Sequence, residues 1–277
     1  MDDETLVLGL GISGCAASEA LLSRSYKVSA VDDSPSESIK EWSNKLSLEL
    51  FPAPTTDKWD NFLQRFSQIL ISPGIPDSHP VFGAASRVGT TIIDEGDLAN
   101  EWDDRPRCAV TGTNGKTTVV TLVTEMLNRS GVNAVAAGNL EKPVVTAIED
   151  SSADCFVIEA SSFRLAHSLK FKASPAVWLN FAPDHLDHHL NLETYLQAKK
   201  RVWEGVKKES DAIANLSDQV VKQHSPKGVT GFGVEGSYCY VKGFNLIFEQ
   251  DSLLDIRDLP RSMPHDLENA QAALLLA

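Results

Sequence analysis

The chain has 277 residues, 42% of them hydrophobic and 23% charged, and a formal net charge of −13. On a prior of roughly 150 residues per domain this is material for two globular domains, and the acidic balance excludes a general nucleic-acid binder, which needs a basic face against phosphate. No apolar run approaches the roughly 18 residues of a membrane span, the opening Met-Asp-Asp-Glu reverses a basic signal-peptide start, and Cys15, Cys108, Cys155 and Cys239 form no Cys-x-x-Cys pair.

These features predict a cytoplasmic protein with reduced, structural cysteines that binds neither membrane nor nucleic acid. Short β-rich runs alternate with helical stretches, which predicts parallel sheets covered by helices. The first unit reads as a strand at 6–9, a helix at about 13–25 and a strand at 27–31, with a later apolar strand at 69–71 ending in Ser72-Pro73-Gly74. The polar, proline-terminated stretch 101–106 reads as a linker. A second unit follows: a strand at 108–110, a helix at 116–129, and strands near 134–137, 155–159, 176–179 and 212–215. A hairpin is predicted between 238 and 249, and a last helix over 264–277. That helix keeps its full apolar density to the final Leu-Leu-Leu-Ala, so the chain is expected to stop short of a natural domain end.

Two openings between strand and helix carry the signature of phosphate binding. Gly9-Leu10-Gly11-Ile12-Ser13-Gly14, with Asp32 closing the next strand, matches the dinucleotide fingerprint: glycines admit the backbone to a pyrophosphate and the acid reaches a ribose. NAD and a UDP-sugar both present those groups, so this loop alone does not separate them. Thr111-Gly112-Thr113-Asn114-Gly115-Lys116-Thr117-Thr118 is the sharper signal, because backbone N–H groups and a helix dipole face an anion there. Lys116 can reach terminal phosphates and the Thr117 hydroxyl can hold Mg²⁺. Val110 stands where a Walker A loop has its first glycine, so the loop is a shorter variant.

Glu159 closes a buried strand, which aims a carboxylate into the ligand crevice of an open α/β sheet. Downstream, Asp184-His185-Leu186-Asp187-His188-His189 gathers acids and imidazoles. Zinc is the first reading of such a cluster, but an ATP site with hard oxygen donors favours Mg²⁺, with His185 as the one functional imidazole. His188 and His189 read as solvent-facing loop residues. By composition alone Lys199, Lys200 and Arg201 read as the solvated face of a helix that starts near 192.

Taken together, the Gly-Thr-Asn-Gly-Lys-Thr-Thr loop, the Asp184-to-His188 run, Tyr195-x-x-Ala198-Lys199 and the closing His265-Asp266-Leu267-Glu268-Asn269-Ala270 resemble the Mur ligase family in order and spacing. The Gly-x-Gly-x-Ser-Gly unit with Asp32, then Ser72-Pro73-Gly74, Gly138-Asn139 and Ser161-Ser162-Phe163, resemble its D-glutamate-adding branch. The resemblance implies a Rossmann-like UDP-sugar domain over 1–102 and a P-loop-type α/β ATPase domain over 103–277, without the family's third domain. It also implies ligation of D-glutamate to UDP-N-acetylmuramoyl-L-alanine at the expense of ATP, by a monomer, through an acyl phosphate. The alternatives are a catalytically silent nucleotide-binding fragment and another amide ligase of the family.

Roles follow from the resemblance position by position. Ile12, Ser13, Asp32, Ser72, Gly74, Asn139 and Ser161 would hold the UDP-sugar. Gly112, Thr113, Asn114, Gly115, Lys116, Thr117 and Thr118 would cradle ATP, with Asn269 near the adenine. Thr117 and Glu159 would hold one Mg²⁺; His185 and Lys199, the latter as a CO₂-derived carbamate, would hold a second. Lys116, Glu159, His185 and Lys199 are thus the implied catalytic set. The chain departs from the family pattern at Arg164 (usually glutamine), Glu141 (usually glycine), Ser34 and Asp266.

Overall fold

The computed structural model describes residues 4–139, 142–184 and 188–277. In chain order the first elements are β1 (Glu4–Leu8), α1 (Ile12–Ser23), β2 (Lys27–Asp32), α2 (Glu37–Leu46), β3 (Glu49–Pro52), α3 (Trp59–Leu63), β4 (Gln68–Ile71), α4 (Pro80–Val88), β5 (Thr91–Ile93) and α5 (Glu95–Trp102). Their strands form one all-parallel sheet in the order β3-β2-β1-β4-β5. The order reverses between β1 and β4, and a crevice opens at the carboxyl ends of those two strands, where open α/β sheets take their ligands.

The second set comprises β6 (Arg107–Thr111), α6 (Lys116–Arg129), β7 (Ala134–Gly138), α7 (Val144–Ala147), β8 (Cys155–Glu159), α8 (Ser162–His167), β9 (Ala176–Trp178), α9 (Leu192–Lys200), β10 (Ala212–Asn215) and α10 (Gln219–His224). It closes with β11 (Thr230–Phe232), β12 (Cys239–Lys242), β13 (Asn245–Phe248), β14 (Asp251–Asp255) and α11 (Pro264–Leu276). Among the described residues these strands order as β14-β13-β12-β11-β10-β9-β6-β8-β7, parallel from β7 to β12 and antiparallel at the β12–β13–β14 end. The sheet is therefore mixed, and the hairpin predicted near its end is β12–β13 with β14 added.

Burial explains the layering. β6 is buried at every position, as a strand covered on both faces must be, and Val119, Val120 and Val123 of α6 pack on one of those faces. Ala272, Ala273 and Leu276 of α11 join the same cluster, so the apolar density of the last helix is spent against α6 and the sheet. Each such aliphatic side chain removed from water contributes about 1.5–3 kcal/mol.

The stretch 101–106 is less of a loose linker than its composition predicts. Trp102 is the last residue of α5, and the segment after it is pinned by arginines. Arg105 donates to the carbonyls of Asp150 and Ala153 and chelates Asp103. Arg107 donates to Asn100 Oδ1 and Ala99 O. The polar string is tied down because Arg105 finds backbone acceptors on the second unit while Arg107 reaches back to α5 of the first.

Candidate nucleotide and nucleotide-sugar site

The loop after β6 is held from three sides. Gly115, the N-cap of α6, has φ +85°, and a Cβ there would lie 2.5 Å from Asn269 Oδ1 of α11, so only glycine lets the two approach. Asn180, just beyond β9, accepts from the Asn114 N–H at 2.9 Å and donates back to the Asn114 carbonyl at 3.1 Å. Thr113 Oγ1 lies 3.0 Å from Tyr195 Oη of α9 and accepts from the Ala182 N–H at 3.0 Å. With the Thr113 and Asn114 N–H groups tied to Asn180, the loop holds its remaining N–H groups without further ordering, which is what binding a phosphate demands.

Two lysines converge on one carbonyl. Lys116 Nζ donates to Gly112 O at 3.0 Å and Thr113 O at 3.0 Å, while Lys199 Nζ, from α9, donates to Gly112 O at 2.8 Å. Lys199 is 1% exposed. The solvated face suggested by composition is therefore overturned for this residue: Tyr195, Ala198 and Lys199 are the buried side of α9. Burial, reinforced by the neighbouring Lys116 charge and opposed by Asp184, pushes Lys199 down to about 7. Burial also lowers Lys116, against the pull of Glu159 and Asp184.

Glu159 sits at the end of β8, 3% exposed. Its Oε2 accepts from Thr117 Oγ1 at 2.8 Å and its Oε1 from Asn139 Nδ2 at 3.3 Å. Asn139 follows Gly138, whose φ of +108° turns the chain at the end of β7 so that the Asn139 N–H reaches the Glu159 carbonyl at 3.1 Å. Gly112, Thr113, Asn114, Gly115, Lys116, Thr117, Glu159, Lys199 and Asn269 are thus brought into one neighbourhood. Thr118 lies exposed on the first turn of α6. His185 falls outside the described residues, as does the departure at Glu141.

The first-sheet loop is built differently. A Cβ on Gly14 would stand 1.9 Å from Gly9 O, so α1 can begin this close to β1 only with glycine there. Ser72 Oγ donates to Gly9 O at 2.6 Å, which locks the ends of β1 and β4 together. A cavity of about 360 Å³ opens above them, lined by Gly9, Gly11, Ile12, Ser13, Ser72 and Gly74, and across from them by Gly138, Asn139 and Arg164. Ile12, Ser13, Ser72, Gly74 and Asn139 therefore share one cavity. Asp32 and Ser161 are not among the residues that line it. Both Asp32 oxygens accept backbone N–H groups, from Leu10 at 2.8 Å and Ser34 at 2.9 Å, and Ser161 Oγ caps α8 by accepting from the Arg164 N–H.

Asn180 was not singled out from the sequence. Its signal is positional: like Glu159, it stands just past a short buried strand beside β6. Arg164 stood out only as a departure from a pattern. It is 2% exposed and ion-paired to Asp94 at 2.8 Å and Glu95 at 2.5 Å, so its charge is absorbed by two buried acids at the start of α5. His189, expected to face solvent, is 2% exposed; it is packed between Asp77 and Ser162.

A parallel sheet with a glycine crevice is thus joined to a mixed sheet whose glycine loop is lined by two lysines. The profile of the Mur ligase middle domain matches residues 110–276, and that of the Mur ligase MurD-like N-terminal domain matches residues 3–94. The chain belongs to the Mur ligase family. It is 31% identical over 283 residues to a UDP-N-acetylmuramoylalanine–D-glutamate ligase of Caldanaerobacter subterraneus subsp. tengcongensis, covering all of this chain and 63% of that protein. To the ligase of the same name from Caldicellulosiruptor bescii it is 35% identical over 219 residues, covering 78% of this chain and 48% of that one. The chain thus spans less than two thirds of the length of these relatives.

Solved structures share the fold. A UDP-N-acetylmuramate:L-alanyl-γ-D-glutamyl-meso-diaminopimelate ligase from Neisseria meningitides superposes with a TM-score of 0.60 at 17% identity, covering 99% of this chain and 92% of that one. A UDP-N-acetylmuramate-alanine ligase from Thermotoga maritima gives 0.55 at 17% identity, covering 99% and 64%. No described helix is long and apolar enough to cross a membrane.

Proposed function

We propose that this chain supplies the UDP-sugar-binding and ATP-binding parts of a ligase that joins D-glutamate to UDP-N-acetylmuramoyl-L-alanine in peptidoglycan precursor synthesis. Residues 1–102 form the first part and 103–277 the second. The observation that carries the reading is Asn139. It lines the cavity of the first-sheet glycine loop and at the same time donates to Glu159 beside the phosphate loop. A ligand seated on the first loop is thereby led toward the second.

In this reading the alanyl carboxylate attacks the γ-phosphorus of ATP, releasing ADP and leaving an acyl phosphate. The D-glutamate amine then attacks that carbonyl, phosphate departs, and an amide remains. Carboxylate and triphosphate repel each other, so fixed positive charge has to be in place before reaction. Lys116 supplies it once its ammonium leaves the loop carbonyls for phosphate oxygens. Thr117 Oγ1 and Glu159 Oε2 lie 2.8 Å apart, a pair of hard oxygen donors that fits Mg²⁺. When bound, that ion offsets the phosphate charge.

Lys199 is assigned as the carbamate-bearing residue. A deprotonated amine adds to CO₂ whereas an ammonium does not, and burial beside Lys116 favours the uncharged amine. The product carries anionic oxygens in place of a cation, which with His185 would serve a second Mg²⁺. The assignments of Ile12, Ser13, Ser72 and Gly74 to the UDP-sugar rest on their shared cavity, and those of Asn114 and Asn269 to ATP on their contacts with the loop.

Titration calorimetry with UDP-N-acetylmuramoyl-L-alanine, with NADH as the control, tests the reading. The UDP-sugar should bind and NADH should not, and Asn139→Ala should weaken binding about tenfold, the equivalent of one good hydrogen bond. Binding of NADH alone would overturn the assignment of the first unit.

A further inference from the structure

Against Ser162 and Phe163 lies a group of side chains that the proposed ligation does not use. Asp77, in the β4–α4 connection of the first sheet, meets His188 and His189 of the segment before α9, and one donor atom from each lies within 4.8 Å of the others. His189 Nδ1 is 3.0 Å from Asp77 Oδ2, and His167 Nε2, at the end of α8, is 3.3 Å from Asp77 Oδ1. The Asp77 N–H also donates to the His188 carbonyl at 3.0 Å, which holds the connection against the histidine pair.

The outer nitrogens of the two adjacent imidazoles are already committed. His188 Nε2 is 2.9 Å from the Pro73 carbonyl, an acceptor only, so this nitrogen carries the hydrogen and Nδ1 is left with the lone pair. His189 Nε2 is 2.9 Å from Ser162 Oγ, and its Nδ1 faces Asp77. Anchoring one ring nitrogen so that the other presents its lone pair is how metal-ligating histidines are held.

Three polar atoms here have no hydrogen-bond partner among the described residues: Asp77 Oδ1, His167 Nε2 and His188 Nδ1. The His167–Asp77 approach is within ion-pair range but lacks hydrogen-bond geometry, so the two findings are compatible. Leaving a buried polar atom without a hydrogen bond costs about 1–3 kcal/mol; Asp77 Oδ1 and His167 Nε2 face each other only at ion-pair distance, 3.3 Å, and one bound ion would partner both together with His188 Nδ1. Three protonated imidazoles are a poor answer, since a single carboxylate cannot offset three imidazolium charges. A tetrahedral ion about 2 Å from each ligand needs donors roughly 3.3 Å apart, close to the 3.0 and 3.3 Å separations around Asp77.

We propose that Asp77, His188 and His189, with His167 completing the set, form a binding site for one divalent transition-metal ion of the Zn²⁺ kind, fastening the first-sheet unit to the second. Imidazole-rich donor sets select such ions over Mg²⁺, which prefers oxygen. The site is separate from Thr117 and Glu159 and stands or falls independently of the proposed ligation.

Co²⁺ is the probe, because its visible bands report imidazole coordination directly. Tag-free protein, stripped with chelator and held in excess Mg²⁺, should take up one equivalent of Co²⁺ with those bands, and Zn²⁺ should displace it. Asp77→Asn and His188→Gln should each weaken uptake at least about tenfold; the glutamine keeps a donor for Pro73, and circular dichroism checks its fold. Thr117→Val should leave the bands unchanged, and Zn²⁺ should raise the melting temperature of the parent but of neither ligand variant. Absence of the bands in the parent, or their persistence in both ligand variants, would overturn the proposal.

Discussion

The two glycine loops of this molecule start from the same device, a strand running through glycines into a helix, and end as different sites. The first is closed by shape: Gly14 touches Gly9, Ser72 seals the crevice, and Asp32 spends both oxygens on its own backbone. Its cavity is rimmed by Ile12, which is 67% exposed, and by small residues. The second is closed by side chains from other segments of the second unit, Asn180 after β9, Tyr195 and Lys199 of α9 and Asn269 of α11. One loop offers a fitted backbone, the other concentrated charge. Phosphate-binding glycines set where an anion can sit; what surrounds them decides whether anything reacts there.

The largest expected effect breaks the seam between the two regions. Arg164→Met leaves Asp94 and Glu95 buried without their cation, and chemical denaturation should show a loss of about 3–5 kcal/mol. Burial holds Asp94 above the usual carboxylate range. A carboxyl raised in the folded state contributes its stability below its unfolded value and loses it as pH rises. The deficit of the variant should therefore shrink on acidification toward the carboxylate range and deepen toward neutrality. A deficit that does not change with pH would place the cause in packing.

Next comes Lys199→Met, which sharpens the contrast by removing charge from the second loop alone. Turnover of the complete ligase should fall by on the order of 10²–10³, with UDP-sugar binding intact by calorimetry. The variant should also melt higher than the parent near neutral pH. Folding depresses the amine, so its penalty is greatest below about 7 and eases as pH rises toward the unfolded value. Gly112 O keeps Lys116 as its donor in the variant. A lower melting temperature would mean that Lys199 is chiefly structural.

Gly14→Ala tests the shape-built loop. A Cβ 1.9 Å from a backbone oxygen forces β1 and α1 apart, and thermal denaturation should report a loss of up to about 3 kcal/mol with UDP-sugar binding abolished. ATP binding should survive. The smallest effect is expected from Asn180→Ala, which removes two hydrogen bonds to Asn114 worth about 1 kcal/mol each. Nucleotide affinity should fall roughly tenfold, with a stability loss of about 2 kcal/mol by chemical denaturation; an unchanged affinity would mean the loop is ordered without Asn180.

Helix α6, strands β8 and β10 and the hairpin were legible because strong local patterns and tertiary demand agree there. Helices α2 to α5, α7, α8 and α10 and strands β3, β5, β11 and β14 went unread; most are short, whereas α2 and α4 carry the cap residues Ser36 and Gly89 that could have marked them. The glycine loop between β6 and α6 was readable in place and extent, since glycines at fixed spacing between a strand and a helix act locally. Lys199 and His189 were not readable from composition. A lysine on a polar helix and a histidine in an acidic loop look solvated until Gly112, Asp77 and Ser162 arrive from distant segments to bury them.

By itself the sequence determined the two glycine-rich strand-to-helix openings and the alternation of strand and helix, because backbone permissiveness and hydrophobic period are local properties. Only the tertiary structure decided which charges are buried. Desolvation depends on every group that closes over a side chain, and here those groups lie dozens of residues away: Asp94 and Glu95 about Arg164, Gly112 above Lys199, and Asp77 among three histidines.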